Sequence, residues 1–184
     1  MAHIFDGLRP YSYDLIMADP PWRFKTRSDK GITEKGAGGH YDTMTLDQIK
    51  AMPVQQLAKP DCLLWLWATN PMLPLAFETM EAWGFEFKTA GSWEKITKNG
   101  KQGFGTGYIL RCSNEPFLIG TRGNPKTTRS TRSSFRGLVR ENSRKPDEAF
   151  DVAAGMIPNA RKLELFSRQI REGWSAWGNE LEKF

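Results

Sequence analysis

An apolar, partly β-branched run, Tyr13 to Ala18, stops abruptly at Asp19-Pro20-Pro21-Trp22. A run of this kind, closed by turn-forming residues, reads as a buried strand ending in a rigid loop. Asp61 to Ala68 (DCLLWLWA) repeats the pattern, and further strand candidates follow at Phe85 to Trp93, Glu115 to Gly120 and Arg161 to Phe166. Helical segments lie between them. Thr45 with Gln48 forms a capping-box start, and Asn70-Pro71 opens a helix that Gly84 ends. Pro146 to Met156 begins with proline and has acids in its first turn. Strands alternating with helices, several of them apolar throughout, predict an α/β domain with a mostly parallel sheet covered on both faces. Sites in such sheets lie beyond the carboxyl ends of the strands, so Asp19 and the residues after Phe166 are expected to meet. Arg23 to His40, rich in Gly, Lys and Thr, reads as a loop.

At 184 residues the chain suits a single domain, 1–184, and no apolar run approaches the length of a membrane span. With no signal-peptide pattern at Met1 to Pro10, the cytoplasm is the default compartment. Cys62 and Cys112 make neither a zinc cluster nor a disulfide framework, and His3 and His40 have no neighbouring ligands, so no metal site is expected. The net charge of +5 suits a polyanionic partner, and its distribution is local. Between Thr121 and Lys145 the cations Arg122, Lys126, Arg129, Arg132, Arg136, Arg140, Arg144 and Lys145 face the single acid Glu141. Such a run can be a plain solvated surface; read functionally, Arg122, Lys126, Arg129, Arg132 and Arg136 are phosphate contacts for a nucleic acid. Gly100 to Gly107 matches no phosphate-loop pattern and reads as an ordinary loop. Trp65 and Trp67, alternating on a strand, read as core.

Asp19-Pro20-Pro21-Trp22 can be merely a stiff turn, yet its groups suit one reaction. The exocyclic nitrogen of adenine is a poor nucleophile because its lone pair is delocalised. Acceptors for both amino hydrogens would free that lone pair, and the Asp19 carboxylate and Pro20 carbonyl can supply them. Two prolines hold the turn, and Trp22 offers a face on which a flipped base could stack.

Downstream stand Ser143-Arg144-Lys145-Pro146-Asp147-Glu148, then Lys162 to Arg168 (KLELFSR), Gly173-Trp174 and Gly178-Asn179. Together with Tyr41-Asp42-Thr43-Met44 and Asn114-Glu115, their order and spacing resemble the DPPW-type adenine-N6 methyltransferases. That family includes the catalytic subunit of the eukaryotic messenger-RNA adenosine methyltransferase and smaller bacterial and phage relatives. The resemblance runs from about Tyr13 to Asn179. It implies a Rossmann-like S-adenosylmethionine-dependent methyltransferase sheet with permuted motif order, the catalytic tetrapeptide preceding the cofactor half. It further implies that Lys145 and Arg168 contact the methionine end of S-adenosylmethionine, that Leu165 lines its pocket and that Asn179 bonds the ribose. Asp19 would face the sulfonium, Glu180 stands where the family often has Gln, and Tyr41 matches a substrate-gate position. Ile170-Arg171 replace a frequent His-Asn pair. The implied activity is methyl transfer to adenine N6 in nucleic acid, DNA ahead of RNA because small relatives are mostly DNA-modifying. A catalytically silent nucleic-acid-binding member and a methyltransferase acting on small molecules or proteins are the alternatives; silent copies usually lose the tetrapeptide. The length leaves no room for a separate recognition domain, so sequence selectivity is expected to be low or to come from a partner, either a second copy or another subunit.

Overall fold

The computed structural model describes residues 4–22, 43–107, 109–141 and 144–184. Its strands are β1 (Tyr13–Ala18), β2 (Ala58–Trp67), β3 (Glu86–Ile96), β4 (Asn114–Arg122), β5 (Ser134–Leu138), β6 (Lys162–Leu165) and β7 (Trp174–Trp177). The helices are α1 (Leu46–Lys50), α2 (Leu73–Ala82) and α3 (Asp147–Met156). All the strands join one sheet of order β5-β3-β4-β2-β1-β6-β7. Neighbours are parallel except at β4, which runs antiparallel to both β2 and β3.

Successive side chains on a strand point to opposite faces, and both faces of β1 and β2 are covered. Ile16, Ala18, Leu64 and Leu66 pack with Ile49 of α1, Ala76 and Met80 of α2, and Trp83. Leu15, Met17, Leu63, Trp65 and Trp67 pack on the other side with Ala149, Phe150 and Ala153 of α3. That double burial is why these strands read as continuous apolar runs instead of alternating ones. Trp65 and Trp67 are fully buried, as core residues should be. The capping box of Thr45 and Gln48 is formed, with Gln48 N–H donating to Thr45 Oγ1 at 3.2 Å and Thr45 N–H to Gln48 Oε1 at 2.9 Å.

β1 sits between β2 and β6. α1 and α2, which follow β1 in the chain, lie on one face of the sheet, and β6 is entered from α3 on the opposite face. A crevice opens where connections diverge in this way, at the carboxyl ends of β1 and β6. β5 and β7 are not among the sequence-predicted strands. β5 (SFRGL) is a mostly exposed edge strand inside the basic run, and β7 (WSAW) is half-buried and too short to show a period.

Among the described residues no helix is long and apolar enough to cross a membrane, and no group of three or more His, Cys, Asp or Glu could hold a metal ion. Cys62 is buried and Cys112 half-buried, both as free thiols.

Candidate active site

The turn after β1 is held from three directions. Trp22 N–H donates to Pro20 O at 2.8 Å, Met44 N–H donates to Pro21 O at 3.0 Å, and the Trp22 indole donates to Trp67 O at 3.3 Å. Trp22 is only 4% exposed, so its ring is a core side chain that pins the tetrapeptide. This corrects the expectation of a stacking face, because the sheet takes the ring into its own core. The Pro20 carbonyl already accepts one hydrogen bond and keeps a second lone pair.

Asp19 leads into a chain of opposite charges that joins distant elements. Lys145 Nζ lies 2.5 Å from Asp19 Oδ2 and 2.9 Å from Glu115 Oε1, and Lys95 Nζ lies 2.8 Å from Glu115 Oε2. The Lys145 ammonium also stands 5.4 Å from the Trp67 ring centroid, and its side chain is 9% exposed. Burial alone would lower the Lys145 pKa, but the Asp19 and Glu115 carboxylates more than offset it and hold the ammonium well above its ordinary range. Burial likewise opposes ionisation of Glu115, and Lys145 and Lys95 overcome it, so this carboxyl stays below its usual value.

Beside this chain a cleft is lined by Asp19, Lys145, Phe150, Glu164, Phe166 and Arg168, with Arg144, Gln169 and Phe184 at its margin. The segment after β6 forms its floor. Phe166 adopts φ 62°, and Ser167 N–H donates to Trp177 O at 2.9 Å. Gly178 allows the two loops to touch, since a Cβ there would lie 2.2 Å from Ser167 O. Arg168 Nε donates to Glu180 Oε2 at 2.7 Å. The Phe184 ring lies between two guanidiniums, 5.0 Å from Arg144 and 5.3 Å from Arg168. Asp147 at the start of α3 pairs with Arg140 and, at 2.8 Å, with Arg171.

The structure therefore brings Asp19, Lys145 and Arg168 to one cleft and places Glu180 against Arg168. Asn179 is exposed just after β7, at the same end of the sheet. Leu165 is fully buried in the core and does not line the cleft. The next residue, Phe166, turns into the cleft through its positive φ and takes that place. Tyr41 lies outside the described residues.

The basic run divides. Arg122 donates to Gln55 O at 2.5 Å near the far end of the sheet, Arg136 pairs with Glu94 at 3.2 Å and Arg144 with Glu141 at 3.0 Å. Part of the cationic density is thus engaged within the chain: the Arg122 guanidinium is taken up by a backbone carbonyl, whereas Arg136, paired with Glu94 across the sheet, is still largely exposed. Lys126, Arg129 and Arg132 have no ion pair among the described residues, and all three are exposed.

Sequence reading did not single out Glu164, whose carboxyl burial pushes up to about 7. Ser167 Oγ stands 2.8 Å from Glu164 Oε2 and 2.7 Å from Gln169 O. One hydroxyl hydrogen can serve only one of these acceptors, so a protonated Glu164 completes the set by donating to Ser167. A clue was available: an acid inside the apolar run KLELF has to be paired or neutral. Because the folded-state value is raised, the proton is bound more tightly in the folded chain. Its contribution is complete below the ordinary 4.5 and is lost as pH rises through about 7. Stability should fall by about 1 to 3 kcal/mol between pH 5.5 and 8, and Glu164→Gln should flatten that slope in denaturation measurements. An equally steep slope in the variant would place the proton elsewhere.

A doubly covered sheet with acid, ammonium and guanidinium groups at the carboxyl ends of its central strands defines a Rossmann-like methyltransferase fold. The chain belongs to the MT-A70 family, whose pattern it matches over residues 13–180. It is 33% identical over 179 residues to an N(6)-adenosine-methyltransferase MT-A70-like protein of Arabidopsis thaliana, which covers 92% of this chain and 24% of the relative. The type II methyltransferase M.MunI of Mycoplasma sp is 30% identical over 200 residues, covering 98% of this chain and 83% of the relative. The N(6)-adenine-specific methyltransferase METTL4 of Homo sapiens is 30% identical over 191 residues, covering 94% of this chain and 38% of the relative. The chain thus spans about a quarter of the plant protein's length and most of M.MunI's.

Proposed function

We propose that this chain, as one methyltransferase domain, transfers a methyl group from S-adenosylmethionine to the N6 amino group of adenine in nucleic acid, with DNA ahead of RNA. The observation that carries the reading is Asp19, held by the buried Lys145 at the carboxyl end of β1 beside a cleft of mixed charge and aromatic rings. That cleft suits a zwitterionic, aromatic ligand: Lys145 and Arg168 for a carboxylate, Asp19 for a cation, Phe150 and Phe166 for ring and thioether surface. Glu180, bonded to Arg168, and the exposed Asn179 before it have the donor and acceptor chemistry that suits a diol. When bound, S-adenosylmethionine supplies the electrophilic methyl group.

The protein's own task is to make the adenine nitrogen nucleophilic. Lys145 occupies Asp19 Oδ2, which leaves Oδ1 to accept one amino hydrogen. The free lone pair of Pro20 O accepts the other, and the nitrogen pyramidalises between them. Lys145 also keeps Asp19 oriented, as Glu115 and Lys95 orient Lys145. The nitrogen sheds one hydrogen as it gains the methyl group, and Asp19 Oδ1, already holding that hydrogen, is its first acceptor. Trp22 acts as a positioning residue through its bond to Trp67 O. Lys126, Arg129 and Arg132, exposed and without an ion pair among the described residues, are the foremost candidates for phosphate contacts.

Methyl transfer from labelled S-adenosylmethionine to duplex DNA, single-stranded RNA and free adenosine tests the reading. Label should appear in DNA at adenine N6. Label in RNA alone would reassign the substrate, and none in either nucleic acid would overturn the function.

A further inference from the structure

The connection between β3 and β4, described over residues 97–107 and 109–113, leaves the sheet at the end where Asp19 lies, because β3 runs parallel to β1. It is rooted in the ion-pair chain itself, with Lys95 at one base and Glu115 at the other. The loop is built. Gly103 N–H donates to Lys95 O at 2.6 Å, and Gly105 and Cys112 bond each other's backbones at 2.8 and 3.2 Å. Gly107 packs against the Leu110 backbone, where a Cβ would lie 1.9 Å from Leu110 O. Phe104, Ile109 and Leu110 project from these close backbone contacts and are 81%, 93% and 82% exposed. So much apolar surface on a hydrogen-bonded projection marks a contact site.

The charge around it selects the partner. Lys98, Lys101 and Arg111 accompany the apolar tip, Arg111 standing 6.0 Å from the Phe104 ring, and no Asp or Glu occurs between Glu94 and Glu115. A second copy would bring like charges together, whereas a nucleic acid offers phosphates to the cations and base stacks to the aliphatic tip. Proteins that kink duplexes use Phe, Leu and Ile in this way, inserting them between base steps.

We propose that Ile109 and Leu110 form a wedge that enters the base stack of duplex DNA beside the target adenine, with Lys98, Lys101 and Arg111 on the flanking phosphates. This rests on the nucleic-acid reading above and adds to it the means of unstacking the base before Asp19 receives it.

The test uses the full chain and a mixed-sequence DNA duplex containing 2-aminopurine, which brightens when unstacked. Wild type should bind and brighten the probe. Ile109→Ser with Leu110→Ser should lose most of the rise and bind about tenfold more weakly, with S-adenosylmethionine affinity unchanged, which also reports an intact fold. Lys98→Gln with Arg111→Gln should weaken binding while keeping the rise at saturation. A serine variant that binds and brightens like wild type overturns the wedge. So does one that differs from wild type only in dissociating a dimer, which would give the tip to a second copy. Failure of wild type to methylate any nucleic acid sinks the functional reading, whereas DNA methylation with an indifferent tip sinks the wedge alone.

Discussion

Asp19→Ala should lower the rate of methyl transfer to DNA by about a hundredfold or more and leave the fold standing. The carboxylate accepts a hydrogen bond that strengthens as the adenine nitrogen pyramidalises, and losing one such interaction typically costs that much. Little packing disappears with it, since the side chain is 28% exposed at the cleft and Lys145 keeps Glu115 as a partner. Thermal unfolding within a few degrees of wild type, alongside the collapse in rate, is the expected pattern. Retention of more than about a tenth of the wild-type rate would remove Asp19 from the chemistry.

Lys145→Met should be the more damaging change for stability. It removes the ammonium shared by Asp19 and Glu115 and leaves two carboxylates facing an uncharged side chain. Breaking a buried pair from one side typically costs about 3 to 5 kcal/mol, and methyl transfer should fall with it as Asp19 loses its orientation. The sign with pH is definite. Without Lys145 both carboxyls bind protons more readily in the folded chain, so the deficit relative to wild type should shrink as pH falls from about 7.5 to 5. Denaturant titrations of both proteins at the two pH values measure this directly. A cost below about 1 kcal/mol at neutral pH would show that the pair is solvated in solution.

How far the site was legible depends on whether each residue's role is local or distant. Tyr13 to Ala18 and its stop at Asp19-Pro20 carry their own signals, an apolar run and a turn, and so do the capping box at Thr45 and the proline start of α3. The burial of Trp22 was hidden, because its acceptor is Trp67 O on another strand. The positive φ that turns Phe166 into the cleft beside the buried Leu165 is not encoded in composition. The pairing of Arg136 with Glu94 and of Arg140 with Asp147 depends on β5 lying beside β3 and near α3, and β5 itself has too polar a sequence to announce a strand. Contacts between residues far apart in the chain are what a linear reading cannot supply.

The central place of β1 has a consequence for how the chain is made. Its edge toward β2 is covered early, but its other edge waits for β6, and Lys145 reaches Asp19 across 126 residues. Closure over such a distance follows the formation of local structure. During synthesis, therefore, the most apolar strand presents an open row of backbone donors and acceptors until Lys162–Leu165 emerges. A chain truncated before that point would still hold Asp19 and Lys145, but with an open, sticky edge on β1 in place of the cleft.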